Sequence, residues 1–285
     1  MNYRHSYHAG NFADVHKHIA LLALLAALSR KDKGFLFLDT HAGCGLYDLH
    51  GEQARKGGET AAGIERLDTS ANAVSPEIQH YFDSLTKLRE ITGAHSYPGS
   101  PLLAATALRR HDRGLCVEFV AQEARLLQRN LDSIAAFSPC VVRAETGDGY
   151  QRLTALLPPI ERRALVLIDP PYEAADEYAR ILTALPEALR RLDSAVIAVW
   201  FPVKRQRDVD LWLAKVARVI TQPTLVAQLW LHPRDIAAGL NGSGLLIVNP
   251  PWQIDTRLAV WQEELRQRLG GDGNSGSDVR WIIHE

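Results

Sequence analysis

The sequence predicts an α/β fold: a mainly parallel sheet with an antiparallel C-terminal edge and a helical insertion early in the chain. Three observations carry this. From about residue 114 to 220, short apolar runs alternate strictly with helical patterns, as parallel strands joined by helical crossovers require. Beyond 220 three apolar runs share one helix, which leaves them to pair as antiparallel neighbours. Between 46 and 99 no comparable apolar run occurs, so this stretch stands outside the sheet.

The elements follow in order. Asn11 is the N-cap of a helix from about Phe12 to Arg30, closed by Gly34. Its core, "IALLALLAALS", looks like a secretory signal, but Asp14 and four histidines stand in the eighteen residues before it, where a short basic region belongs. The run is also too short to span a bilayer, so it reads as a buried helix. "GFLFLDTHAGCG" (34–45) is a strand ending in a Gly-rich turn. The 46–99 segment holds "HGEQARKGGET" and then helical patterns such as "PEIQHYFDSLTKLREI"; "YPGSP" turns the chain into the helix "LLAATALRR". Then come the strand "GLCVEFV", the helix "EARLLQRNLDSIAAF", the strand "CVVRAE" and the helix "GYQRLTALL". They are followed by "ALVLIDPP", "AADEYARILTALPEALRRL", "SAVIAVWFP" and "DVDLWLAKVARVI" in the same alternation. "TLVAQLWLH", "GLLIVNPPW" and "VRWIIHE" form the last strands, and "GGDGNSGSD" (270–278) is a loop.

With 285 residues, 46% hydrophobic and 23% charged, the composition is that of a soluble globular protein. A net charge of −1 gives no global signature of polyanion binding, so a nucleic-acid partner must be met by a local patch and few phosphate contacts. Cys44, Cys116 and Cys140 are odd in number and widely spaced, which suits reduced thiols in the cytoplasm; no metal site is expected.

Four features fall at the C-terminal ends of successive strands, where open α/β sheets bind ligands. Gly43 and Gly45 let the backbone pass close beneath a ligand, although Asp48 breaks the dinucleotide fingerprint G-x-G-x-x-G. Glu118 suits the paired hydroxyls of a ribose. Asp148, in "GDG", suits the amine of an adenine ring. Asp169 opens "DPPY", where Pro170 and Pro171 lack backbone donors and stop the strand. Each has an ordinary alternative: a tight turn without ligand, a solvated strand-end acid, a helix N-cap. Their order along one edge argues for a site.

That order resembles class I methyltransferases, which bind S-adenosylmethionine, and "DPPY" resembles the motif of their amino-methylating branch. The chemistry fits the residues. An exocyclic amine is a poor nucleophile because its lone pair is delocalised into the ring. Accepting its hydrogens on the Asp169 carboxylate and the Pro170 carbonyl would turn the lone pair towards a methyl donor. Tyr172 would stack on the base, worth about 1–3 kcal/mol. "NPPW" (249–252) also ends a strand, but after the alternation is over, so Asp169 is preferred. At the N-terminus, Tyr3 could meet a base, and Arg4 and Lys17 could meet phosphates, against the plainer reading of a solvated basic helix start.

The segments "YRHSYHAGNFADVHKH", "FLDTHAGCGLY", "YPGSPL", "LIDPPYE", "NPPW" and "WIIHE" together resemble the bacterial RlmJ family, which methylates adenine N6 in 23S ribosomal RNA. The resemblance runs from end to end. It implies a Rossmann-like, seven-stranded methyltransferase domain (1–45 and 100–285) and an inserted helical subdomain (46–99). It implies S-adenosylmethionine contacts from His18, His41, Ser100, Glu118, Asp148, Gly149 and Asp169, with Asp169 catalytic and Tyr3 on the RNA. His41 stands where the general methyltransferase turn has its first glycine. A monomer acting on 23S ribosomal RNA, away from membranes, is expected. The rivals are a guanine-N2, DNA adenine or protein glutamine methyltransferase, and a non-catalytic RNA-binding protein on the same fold.

Overall fold

The computed structural model describes residues 9–51, 60–68, 75–235, 239–270 and 273–284. Helix α1 (Phe12–Ser29) begins at Asn11, whose side chain accepts the Asp14 N–H at 2.9 Å. Its composition would let it cross a membrane, yet 83% of that apolar window is buried inside the protein. A helix so apolar must be enclosed, and α1 is buried from Phe12 to Leu25, its last turn opening to solvent at Ala26. It lies on the sheet, flanked by α3 (Pro76–Thr92), α4 (Ser100–Ala107) and α9 (Ile254–Leu269).

The main sheet runs β10-β8-β9-β7-β6-β1-β4-β5. Strands β1 (Leu36–Asp39), β4 (Arg113–Glu118), β5 (Val142–Thr146), β6 (Ala164–Ile168) and β7 (Val196–Val203) are parallel. Successive side chains serve opposite faces: Phe37 joins the core around α1, while Leu36 and Leu38 join the one under α6 (Gly149–Leu156), α7 (Glu177–Arg191) and α8 (Gln206–Val219). Helix α5 (Ala121–Ser133) packs on the α1 side through Leu127 and Leu131.

The C-terminal edge is antiparallel, as expected: β9 (Gly242–Val248) inserts between β7 and β8 (Thr224–Trp230), antiparallel to both. The sheet has eight strands rather than the expected seven. Seven is the count the family resemblance implied, whereas the apolar runs number eight, the last of them "VRWIIHE"; it forms β10 (Gly276–Ile283), which starts inside the expected 270–278 loop, pairs with β8 from Gly276↔Trp230 to Ile283↔Thr224 and lays Val279 and Trp281 against the core.

Between β1 and α4, the short strands β2 (Leu46–Asp48) and β3 (Ser96–Pro98) pair antiparallel, with α2 (Ile64–Asp68) and α3 between them. Ile64, Ile78, Tyr81 and Leu85 of this segment share the α1 core. Because the chain leaves β1 for β4 on one side and returns to β6 on the other, the order reverses beside β1. Asp39 and Asp169 end the two strands that flank this switch point, where open sheets bind ligands.

Candidate active site

A cavity of about 910 Å³ opens over the ends of β1, β4, β6 and β7. Behind its β1 side, and not itself lining the cavity, Asp39 is fully buried and accepts the Ser100 hydroxyl at 2.6 Å and the His41 N–H at 3.2 Å. Burial pushes its carboxyl up to about 6; the Ser100 hydrogen bond opposes this and the charge of Asp169 adds to it. The following turn needs its glycines. Gly43 and Gly45 have φ of +59° and +76°, and a Cβ on Gly43 would collide with the Tyr47 hydroxyl. The Gly43 N–H donates to Glu118 Oε2 at 2.9 Å, and Val120 N–H donates to Oε1 at 2.7 Å. Glu118 thus pins the turn while facing the cavity. Its burial raises its pKa, and those backbone donors restrain the rise.

Asp169 follows β6 directly. Its Oδ2 is 2.5 Å from the Lys17 ammonium, which also meets Asp14 Oδ1 at 2.7 Å, one helical turn back along α1. Burial alone would lower the Lys17 pKa, but the two carboxylates outweigh it and raise it, so the ammonium stays charged. The other Asp169 oxygen and the Pro170 carbonyl accept no hydrogen bond among the described residues. Tyr172 takes left-handed backbone (φ +53°), a strained conformation for an aromatic residue. Its hydroxyl donates to the Trp200 carbonyl at 2.6 Å, and its ring stands edge-on to Trp200 at 5.7 Å. The Trp200 indole N–H in turn donates to Ser243 Oγ at 2.9 Å. Ser243 meets His16 Nδ1 at 2.8 Å, and His16 Nε2 meets Gln262 at 3.1 Å. A buried polar chain therefore ties the cavity wall to the middle of the molecule.

Three residues expected on the ligand do not line the cavity. Asp148 caps α6: Oδ1 accepts the Tyr150 and Gln151 N–H groups, and Oδ2 accepts Arg180 at 2.7 Å. Gly149 packs on Thr40, whose carbonyl a Cβ would strike, and neither it, Asp148 nor Gly45 lines the cavity. His18, His41, Gly43, Ser100, Glu118, Asp169, Pro170 and Tyr172 do. His18 is buried there, with Nδ1 3.0 Å from the Tyr97 hydroxyl. The expectation that Lys17 reaches phosphate is corrected: only 3% exposed and held between two carboxylates, it has no access to a polyanion. Tyr3 and Arg4 lie outside the described residues.

The family model for ribosomal RNA large subunit methyltransferase D, RlmJ, matches residues 32–283. The chain belongs to the RlmJ family. It is 33% identical to ribosomal RNA large subunit methyltransferase J of Escherichia coli over 285 residues, covering all of both chains. It is 35% identical to the protein of that name from Haemophilus influenzae, again over the whole of each. A crystal structure of a Legionella pneumophila protein superposes with a TM-score of 0.85 at 33% identity, covering 96% of this chain and 98% of that one.

As a member of the RlmJ family, the chain is a ribosomal RNA large subunit methyltransferase on a Rossmann-like fold. Sequence reasoning missed Asp14, Asp39 and Trp200. Asp14 and Lys17 did carry a signal, since acid and base three apart on a helix are neighbours. Trp200, inside an apolar strand run, carried none.

Proposed function

We propose that this chain methylates N6 of an adenine in 23S ribosomal RNA, with S-adenosylmethionine as donor. The observation that carries the reading is that, among the described residues, one Asp169 oxygen and the Pro170 carbonyl accept no hydrogen bond, and both residues line the cavity with Glu118 and Gly43. Two acceptors side by side suit the two hydrogens of an exocyclic amine. Lys17, bound to the other oxygen, fixes the orientation of the carboxylate.

The residues also fit the donor. Glu118 offers a carboxylate for a ribose, and Gly43 leaves the turn without a side chain beside Tyr47. Among the described residues, Lys17 faces the carboxylates of both Asp14 and Asp169, a balance that favours a cationic ligand. When bound, S-adenosylmethionine supplies a methyl group on a sulfonium. Asp169, Pro170 and Tyr172 hold and orient the base, and His18, His41 and Ser100 belong to the donor's side. A paired adenine cannot reach Asp169, so the target is unpaired or flipped out. The reading takes the chain as a cytoplasmic monomer, with 46–99 as an inserted helical subdomain that, with Tyr3 and Arg4, holds the target's surroundings.

The test is transcribed 23S ribosomal RNA with labelled S-adenosylmethionine, digested to nucleosides. Label is expected in N6-methyladenine, with little on duplex DNA of matching sequence. Label in N2-methylguanine would assign the chain to the other amine.

A further inference from the structure

With Lys17 buried against Asp169, the described part of the molecule needs another surface for the phosphates of its substrate. The topology supplies one. Strands β6, β7 and β8 run in the same direction, since β9 is antiparallel to both β7 and β8. The turn after β7 and the loop after β8 therefore emerge on the edge that carries Asp169. They are tied together: Gln206 N–H donates to the Arg234 carbonyl at 3.0 Å, and the Asn241 amide donates to the Lys204 carbonyl at 2.8 Å. Arg234 is held in place, its guanidinium 3.9 Å over the Trp230 ring and 3.0 Å from Gln206 Oε1.

On this ridge Lys204, Arg205 and Arg207 are exposed and form no ion pair among the described residues; Lys204 also lines the cavity. The nearby acids do not cancel them. Asp210 is matched by Arg280 at 3.5 Å, which leaves Asp208 and Asp235 against four cations. The opposite flank of the same cavity is acidic, with Asp48, Glu118 and Glu123. A polyanion approaching Asp169 is repelled from the Glu118 side and drawn to the Lys204 side. Arginine forks and a rigid backbone are what phosphate recognition uses.

We propose that Lys204, Arg205, Arg207 and Arg234 form the ridge that binds RNA phosphates flanking the target nucleotide. This rests on the RNA reading above, but the two can fail separately. The test measures binding of the full chain to transcribed 23S ribosomal RNA across a salt series. Each phosphate contact contributes about 0.7–0.9 to the slope of log affinity against log salt. The variant K204Q/R205Q/R207Q should lower that slope by about 2, while R205Q/R207Q keeps its affinity for S-adenosylmethionine by calorimetry. R207E should weaken binding further than R207Q. An unchanged slope in the triple variant overturns the ridge even where wild type yields N6-methyladenine. So does loss of heparin binding without loss of RNA binding. A lowered slope alongside label in another nucleoside keeps the ridge and sinks the adenine assignment.

Discussion

Two strands end in a polar residue, two prolines and an aromatic ring, β6 in Asp169-Pro170-Pro171-Tyr172 and β9 in Asn249-Pro250-Pro251-Trp252. Because β9 is antiparallel to β7, pairing Val248 with Ile197, its end lies at the edge opposite Asp169. There Asn249, in left-handed backbone at φ +50°, donates its amide to the carbonyls of Asp193 and Ala195 at 2.7 and 2.8 Å. Its side chain is occupied with closing a loop. Among the described residues Asp169 keeps one oxygen uncommitted beside the cavity, which Trp252, 76% exposed, does not line. The same local chemistry thus becomes a site or a brace according to strand direction.

The sharpest way to break this contrast is to truncate both ends. Asp169→Ala should lower kcat by on the order of 10²–10³ while cofactor affinity stays within a few-fold, since the lost contact belongs to the transition state. Single-turnover kinetics and calorimetry read the two effects. Asn249→Ala should leave turnover per folded molecule intact and cost about 2–3 kcal/mol of stability, from two hydrogen bonds and a left-handed backbone that alanine resists. Urea denaturation measures it. A loss of methylation from the Asn249 change, with Asp169→Ala active, would reverse the roles of the two ends.

A smaller effect tests the link between the two strands, where His16 meets Ser243 of β9. Burial lowers the His16 pKa to about 4, the Gln262 hydrogen bond opposing, so the folded state holds it neutral. Its contribution to stability is full above the ordinary value near 6.5 and is lost as pH falls towards 4, at up to about 1.4 kcal/mol per pH unit. Asp39, raised to about 6, acts in the opposite sense over the same window: its folded state holds a proton that the unfolded chain has released. The difference between wild type and His16→Gln isolates the histidine. An identical pH dependence in both would show that the imidazole titrates freely.

Much of this was legible because it is local. Asn11 announces α1 by its position before an apolar run, and the prolines after Asp169 end β6 by lacking donors. Each strand of the parallel half stood between turn signals. What escaped depends on distance in sequence. Lys17 sits among histidines in a stretch that reads as basic, and its partner Asp169 is 152 residues away. Asp148 offered two readings, and the described contacts are those of a cap and an Arg180 pair. Strands β2 and β3, three residues each, are too short for alternation to register.

The burial of α1 also sets an order of events during synthesis. The long apolar helix α1 is made before the strands it packs on, and the groups that satisfy its His16, Ser243 and Gln262, are 227 and 246 residues further on. At about 5–20 residues per second, α1 waits roughly 10–50 s for the strand that covers it. Chains cut short before β9 should therefore bind a hydrophobic dye or an apolar-segment chaperone that the full chain ignores, and equal binding by both would show that α1 finds cover earlier. Until that strand arrives, a helix that belongs to the interior of an enzyme presents itself to the cell as one fit for a membrane.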